Sequence, residues 1–383
     1  MKIHKSYKTE LDLNVAQTKM CYQYAGAARF VYNWALNLLT EDYKSEKKLK
    51  PNSFMLQKLL TTKKQTDFAW LYEAPSRVTK FALDNVEAAF KNFFRKLKIK
   101  DPTAGYPQFK KKGQHDSFTL DQSVTVEKDR IKIPKIGWVK LKEHEYIPCG
   151  EPNRITISLR ANRWFVSAMY EEEIVNTPEY ENSTIGVDLG VKSLAITSDN
   201  DIFESSKKLN KKQEMLNRLQ RKLARQTKGS NSRNDTKKKI AKVHFDISNH
   251  RKDILDKLTT YLVLSKPQKT IVIEDLNVSG MMKNHNLAKS IANIGFHEFR
   301  RQLEYKCKWY GKELVVANRF YPSSKLCSCC GNKKEELKLS ERKYTCEVCG
   351  NEIDRDLNAA INLSKYNPEE WDKLKNLEEA LIN

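Results

Sequence analysis

The sequence predicts a multidomain α+β protein, and three changes of pattern along it carry that prediction. Apolar residues recur at helical spacing through roughly the first hundred residues. Short alternating runs replace them, and buried apolar strands then alternate with long helices around a cluster of cysteines. A chain of 383 residues has room for two or three domains and a sizeable core in at least one.

In the first part, Tyr24, Ala28, Val31, Trp34, Ala35 and Leu38 share a helical period, and Phe81-Ala82-Leu83 and Phe90 to Phe94 continue it, so residues 15–100 are expected to be helical. The turn formers Asp101-Pro102-Thr103-Ala104-Gly105-Tyr106-Pro107 end that pattern and mark a boundary. Ile131-Lys132-Ile133, Trp138-Val139-Lys140-Leu141, Ile155 to Leu159 and Trp164-Phe165-Val166 follow as strands, the last two joined through Ala161-Asn162-Arg163. They predict an antiparallel region, a small barrel, whose Lys and Arg suit a phosphate backbone as well as any half-solvated sheet. The acidic, turn-rich stretch 171–183, with Glu171-Glu172-Glu173 and Asn176-Thr177-Pro178, reads as a linker.

Beyond it the period becomes that of an α/β domain. Ser183 to Asp188, Leu194 to Thr197 and Asp201-Ile202-Phe203 predict three close strands. Lys-rich helices follow, one with Leu216, Leu219 and Leu223 on a face and one over about 237–264, parted by a mobile hinge at Gly229-Ser230-Asn231-Ser232. Thr270 to Ile273 predicts a buried strand, 293–310 a helix, Glu313 to Ala317 a strand, and a short helix opens near Asp356 with Leu357, Ala360, Ile361 and Leu363.

Lys and Arg number 69 against 48 Asp and Glu, a formal charge of +21, which argues for a polyanionic partner. No run approaches the roughly 18 apolar residues of a membrane-spanning helix, so nucleic acid is preferred to a membrane. Met1-Lys2-Ile3-His4-Lys5 leads into polar sequence without an apolar secretion signal, and the expected location is the cytoplasm, associated with the nucleoid when bound.

Five of the eight cysteines lie between Cys327 and Cys349. Cys327 and Cys330 form one C-x-x-C and Cys346 and Cys349 another, each followed by glycine, Gly331 and Gly350. Four thiolates on two tight knuckles surround one Zn²⁺ tetrahedrally, and a site filled by four protein ligands organises structure instead of activating water. Cys329 is then a spare thiol.

Asp188 and Glu274 each end a buried apolar strand, where an acid is either solvated at the sheet edge or holds a cation. Asp354-Arg355-Asp356-Leu357-Asn358-Ala359-Ala360 adds acids at a helix start, where helix capping is an equally good account of either aspartate. Three such carboxylates would support phosphodiester hydrolysis with two Mg²⁺.

These motifs in this order, Gly186-Val187-Asp188-Leu189-Gly190, Ile273-Glu274-Asp275-Leu276, the paired C-x-x-C-G and Asp354 to Ala360, resemble TnpB, the RNA-guided nuclease of small bacterial transposons and a relative of compact type V CRISPR effectors. The resemblance covers roughly residues 184–365. It is looser upstream, through Ala27-Ala28-Arg29-Phe30-Val31-Tyr32-Asn33-Trp34 and Tyr106-Pro107-Gln108-Phe109-Lys110. It implies an RNase H-like (RuvC) nuclease domain over 181–320 and 351–383, interrupted by a target-binding zinc ribbon at 321–350. It further implies a wedge-like β-barrel from 1–14 and 101–180 with a helical recognition region, 15–100, inserted. The catalytic acids fall on Asp188, Glu274 and Asp356, the last preferred over a supporting Asp354. The implied partners are a guide RNA from the transposon end and target double-stranded DNA, with one protein per RNA; the Lys-rich helices of 207–252 would wall the channel.

A nuclease-inactive, RNA-guided DNA-binding repressor of the same fold is the alternative reading. A His-x-His transposase is disfavoured, because no two of the seven histidines are separated by one residue. A zinc-ribbon adaptor without catalysis would make Asp188→Ala silent.

Overall fold

The computed structural model describes residues 1–44, 51–174, 178–190, 193–204, 206–283, 288, 291, 294–338 and 341–373. The chain divides into two compact units, one of residues 2–173 and the other of Met1 with residues from 174 onward.

In the first unit, strand β1 (Lys2–Asp12) precedes helices α1 (Val15–Lys44), α2 (Ser53–Gln65) and α3 (Ser76–Lys98). Strands β2 (Ser117–Leu120), β3 (Thr125–Val126), β4 (Arg130–Ile133), β5 (Gly137–Leu141), β6 (Arg154–Arg160) and β7 (Arg163–Glu173) complete it. The sheet order is β2-β6-β7-β1-β5-β4-β3. β1 is the seam: Lys2 to Glu10 pair with Glu173 to Phe165 of β7, and Leu11 and Asp12 then pair with β5. Ala161 and Asn162 link β6 to β7 with φ of +49° and +62°, the two positive values of a tight hairpin whose twist matches its strands.

Helices and sheet share one core. Val31, Ala35 and Leu36 of α1, Leu56 and Leu60 of α2 and Leu83 and Val86 of α3 belong to the same buried cluster as Leu11, Phe118, Ile131 and Ile157. The two N-terminal motifs meet here: the Asn33 side chain accepts from Lys110 N at 2.8 Å and donates to Lys110 O at 2.9 Å, while the Lys110 ammonium lies 4.1 Å from the Tyr32 ring centre.

The acidic stretch expected as a linker is structured at both ends. Glu171, Glu172 and Glu173 are the last residues of β7, paired with His4, Ile3 and Lys2, and Glu181 opens the next strand. Lys2 and Lys5 sit 3.1 and 3.3 Å from Glu171 and Glu172, so charges that look like linker sequence are one side of a cross-strand pairing. Asn176 and Thr177 lie outside the described residues.

In the second unit, β8 (Glu181–Asp188), β9 (Ser193–Thr197) and β10 (Ile202–Glu204) form an antiparallel meander, followed by α4 (Lys207–Arg225) and α5 (Asn231–Thr260). After a wide turn at Tyr261–Ser265 come β11 (Gln268–Glu274), the short α6 (Val278–Met281), α7 (Phe296–Tyr310) and β12 (Glu313–Ala317). A two-stranded ribbon, β13 (Lys343–Thr345) with β14 (Glu352–Asp354), leads into α8 (Arg355–Ser364). The five-stranded sheet runs β10-β9-β8-β11-β12, with β11 parallel to both β8 and β12.

Alternation along the strands sorts the two faces. Ile185, Val187, Ile271 and Ile273 share a core with Leu255 and Leu258 of α5 and Phe299 and Leu303 of α7, whereas Val272 and Ala317 pack with Leu363 of α8. Gly186 faces α8: a Cβ there would stand 2.0 Å from Ala360 O and 2.5 Å from Ser364 N. The expected hinge is instead a fastened turn. Ser230 caps α5 by accepting from Arg233 N, and the Arg233 guanidinium donates back to Leu223 O and Gln226 O of the preceding helix end.

Because backbone atoms of α8 occupy the space above Gly186, neither partner can yield easily. Gly186→Ala should cost about 3 kcal/mol or more as overpacking, read as a fall of about 5–10 °C in melting temperature.

Candidate active site and cysteine cluster

Asp188 and Glu274 are the last residues of neighbouring strands, and the β8–β11 register, Ile273 opposite Val187, sets them side by side. The period of two that sends Val187 and Ile273 into the α5–α7 core turns Asp188 and Glu274 to the α8 face. Asp356 lies in the first turn of α8, within the electrostatic reach of both. The structure therefore brings together all three acids singled out from the sequence.

Asp354 and Asp356 divide the two roles open to them. Asp354 is the helix cap, its Oδ1 accepting from Asp356 N at 2.9 Å and Leu357 N at 3.2 Å. Asp356 is left to face Asp188, and its Oδ1 accepts from the Arg355 guanidinium at 3.0 and 3.2 Å. Arg355 also donates to Glu341 O at 3.1 Å. Glu274 accepts a hydrogen bond from the Ser323 hydroxyl.

Burial, then the charges of Glu274 and Asp356, push the Asp188 carboxyl well above the usual aspartate range. Burial and Asp356 likewise raise Glu274, against the opposing bond from Ser323. Arg355 is a positive charge that opposes this rise at Asp188, but burial and the neighbouring acids outweigh it. Hard divalent cations are the ligands that such an oxygen set accepts best.

The cysteines meet as their spacing predicts. The four Sγ atoms of Cys327, Cys330, Cys346 and Cys349 lie within 4.8 Å of one another, with Cys327–Cys349 and Cys330–Cys346 both 3.6 Å. A tetrahedral Zn–S₄ site, with bonds of about 2.3 Å, has sulfur–sulfur edges of about 3.8 Å. The two knuckles are copies: Gly331 N donates to Cys327 O and Gly350 N to Cys346 O, at 2.9 and 3.0 Å. Gly331 and Gly350 have φ of +74° and +69°, a left-handed backbone that glycine adopts without strain. Although burial opposes ionisation, backbone N–H groups of Cys330 and Cys329 bring the Cys327 thiol down to about 6. Tyr344 is fully buried under the cluster and donates to Lys325 O at 3.1 Å.

Two asparagines of α8, not singled out from the sequence, tie this lobe to the carboxylates. Asn358 donates to Leu326 O at 2.7 Å and accepts from Ser328 N at 2.9 Å; Asn362 donates to Ser323 O and Leu326 O, each at 2.7 Å. Their helical spacing of four, one turn apart on the face of Asp354's helix, was the available signal.

Asn358→Ala would leave Ser328 N without its acceptor and Leu326 O with Asn362 alone, so we expect a loss of about 1–3 kcal/mol, measurable by chemical denaturation. A second expectation concerns pH. Above the ordinary aspartate range the metal-free folded protein keeps the Asp188 proton that the unfolded chain has released, so stability falls as pH rises through that interval. Asp188→Asn should flatten this slope and raise the metal-free melting temperature at neutral pH.

Comparison with known proteins finds relatives along most of the chain. A family profile described as a probable transposase matches residues 167–285, and one described as a Cas12f1-like TNB domain matches 296–363. A profile described as a helix-turn-helix domain matches 1–48, where the structure has strand β1 and the single long helix α1. InsQ of Escherichia coli (strain K12), named as a candidate RNA-guided DNA endonuclease, is 36% identical, the match covering 95% of this chain and 92% of InsQ. A Streptomyces pristinaespiralis protein of the same designation is also 36% identical, over 88% of this chain and 83% of its own. A TnpB-like protein of Acanthamoeba polyphaga mimivirus, L79, is 29% identical over 52% of this chain and 41% of its own. In fold, the chain is similar to the protein in a Cas12f1–sgRNA–target DNA complex, at a TM-score of 0.57 and 14% identity over 96% of this chain and 99% of that one. With 36% identity to InsQ along nearly the full length of both proteins, the chain belongs to the TnpB family.

Proposed function

We propose that this protein is an RNA-guided DNA endonuclease whose single site, Asp188, Glu274 and Asp356, hydrolyses target phosphodiester bonds with two Mg²⁺. The observation that carries the reading is the convergence of three carboxylates from β8, β11 and α8 on one face of the sheet. The strand order supports an RNase H-like (RuvC) assignment for residues 181–320 and 351–383: three antiparallel strands, then two parallel ones on the other side of the first. The wedge-like barrel of 1–14 and 101–180, the helical recognition region of 15–100 and the zinc ribbon of 321–350 complete the proposed domain plan.

Bound Mg²⁺ would supply a water nucleophile and stabilise the leaving oxygen. The protein's own groups prepare that site. Ser323 orients Glu274, Arg355 orients Asp356, and the Asp354 cap leaves Asp356 free for a cation. One Zn²⁺ on Cys327, Cys330, Cys346 and Cys349 holds the ribbon, which Asn358 and Asn362 dock on the helix of Asp356.

The charge of +21 fits a guide RNA from the transposon end and a target DNA duplex, bound through their backbones by one protein copy while base pairing selects the sequence. Such a complex would act in the cytoplasm, on the nucleoid; among the described residues no helix is long and apolar enough to cross a membrane. A nuclease-inactive repressor is disfavoured because the acid set is complete.

The test is cleavage of a plasmid library by the protein purified with its co-expressed RNA. Mg²⁺ should be required and EDTA should stop cutting, and Asp188→Ala, Glu274→Ala and Asp356→Ala should each lower the rate by at least about 100-fold, more than loss of a supporting group costs. Target binding should survive. Target binding by wild type without any cutting would overturn the nuclease reading in favour of the repressor. For the ribbon, Cys346→Ser should reduce bound zinc from about one equivalent to near zero by elemental analysis.

A further inference from the structure

The turn after β12 is held from both sides. Asn318 Oδ1 accepts from Phe320 N at 3.0 Å, Asn318 O accepts from Tyr321 N at 2.9 Å, and Asn318 N donates to the Tyr366 hydroxyl at 3.1 Å. The Tyr321 ring packs 4.8 Å from Tyr366 and 5.3 Å from Trp371, and its hydroxyl donates to Asn362 O. The same turn straddles the end of β11: Arg319 bonds Asp275 at 2.8 Å, and Ser323 bonds Glu274.

Between these anchors Phe320 is 73% exposed. A ring left in water on a chain segment fixed this firmly is not serving a core. Only Tyr321 and Pro322 separate it from Ser323, a span of at most about 10 Å, and so from a hydroxyl that touches Glu274. Arg319, next in the chain to Phe320, holds Asp275 with a half-exposed guanidinium, while Arg300 lies between Asp275 and Glu304.

We propose that Phe320 is a stacking site for an unpaired nucleobase of the strand being cut. The inference rests on the reading of Asp188, Glu274 and Asp356 as the hydrolytic site. Every base has a π face, so one phenylalanine can hold any base without reading sequence, while the half-exposed Arg319 guanidinium beside it is within reach of a flanking phosphate. The stack keeps the strand unpaired and fixes the scissile phosphate over the carboxylates, where small displacements are costly in rate. Phe320 is a positioning residue in this scheme.

The experiment uses the protein with its co-expressed RNA and target DNA carrying 2-aminopurine, one position at a time, within three nucleotides of the cut. Phe320→Ala and Phe320→Leu should lower the single-turnover cleavage rate by about 5- to 100-fold, the range one base–aromatic stack supplies. Target affinity should change less than about twofold, and Phe320→Trp should restore the rate. In the Asp188→Ala background, which does not need to cut, 2-aminopurine at one position should be quenched, and adding Phe320→Ala should abolish the quenching. Wild-type rate and unchanged fluorescence in Phe320→Ala would overturn the stacking site while leaving the nuclease reading intact. Full rescue by Phe320→Leu would overturn it too, since leucine offers bulk without a π face. Absence of Mg²⁺-dependent cutting in wild type would overturn both.

Discussion

The nuclease-like unit depends on how closely helix α8 lies against strand β8. Gly186 permits contact with the helix backbone itself at Ala360 and Ser364. Without a side chain between them, the first turn of α8 reaches the end of β8, and Asp356 joins Asp188. A conventional side-chain layer would hold helix and strand farther apart. The glycine two residues before the first acid thus shapes the carboxylate cluster although it brings no side chain to it.

The same helix carries a second task. Its N-terminal turn supplies Asp356, and Asn358 and Asn362, one turn apart along it, hold the segment 323–328 that carries the first cysteine of the cluster. Segment 323–328 also contains Ser323, bonded to Glu274. Carboxylates and cysteine lobe are consequently parts of one hydrogen-bonded assembly. Crowding three acids costs the folded state electrostatic free energy, as the raised Asp188 and Glu274 show, and a bound cation would return it.

Much of this was readable from residue order because it rests on periodicity. A run of apolar residues ending in an acid marks a strand end, which places Asp188 and Glu274; two C-x-x-C-G knuckles place the cysteines. The residues alone left Asp354 and Asp356 open, since both stand at the helix start, and the resemblance favoured Asp356; only geometry shows that Asp354 is the cap. Asn358 and Asn362 carry no chemistry that stands out in a sequence; their importance comes from which backbone groups lie opposite them. Glu171 to Glu173 resemble a linker because their partners, Lys2 and Lys5, are at the far end of the chain. Gly229 and Ser230 resemble a hinge because the guanidinium that fastens the turn belongs to Arg233, inside the next helix.

The seam strand has a further consequence for synthesis on the ribosome. β1 finds its main partner more than 150 residues later, in β7. At about 5–20 residues per second, that partner emerges roughly 10–30 s after β1 does. Throughout this interval β1 is an open edge able to recruit strands from other nascent chains. Lys2, Lys5 and Lys8 stand at every third position along it, charges of the kind that discourage an unpaired edge from joining copies of itself, and in the folded unit Glu171 and Glu172 of β7 pair with the first two.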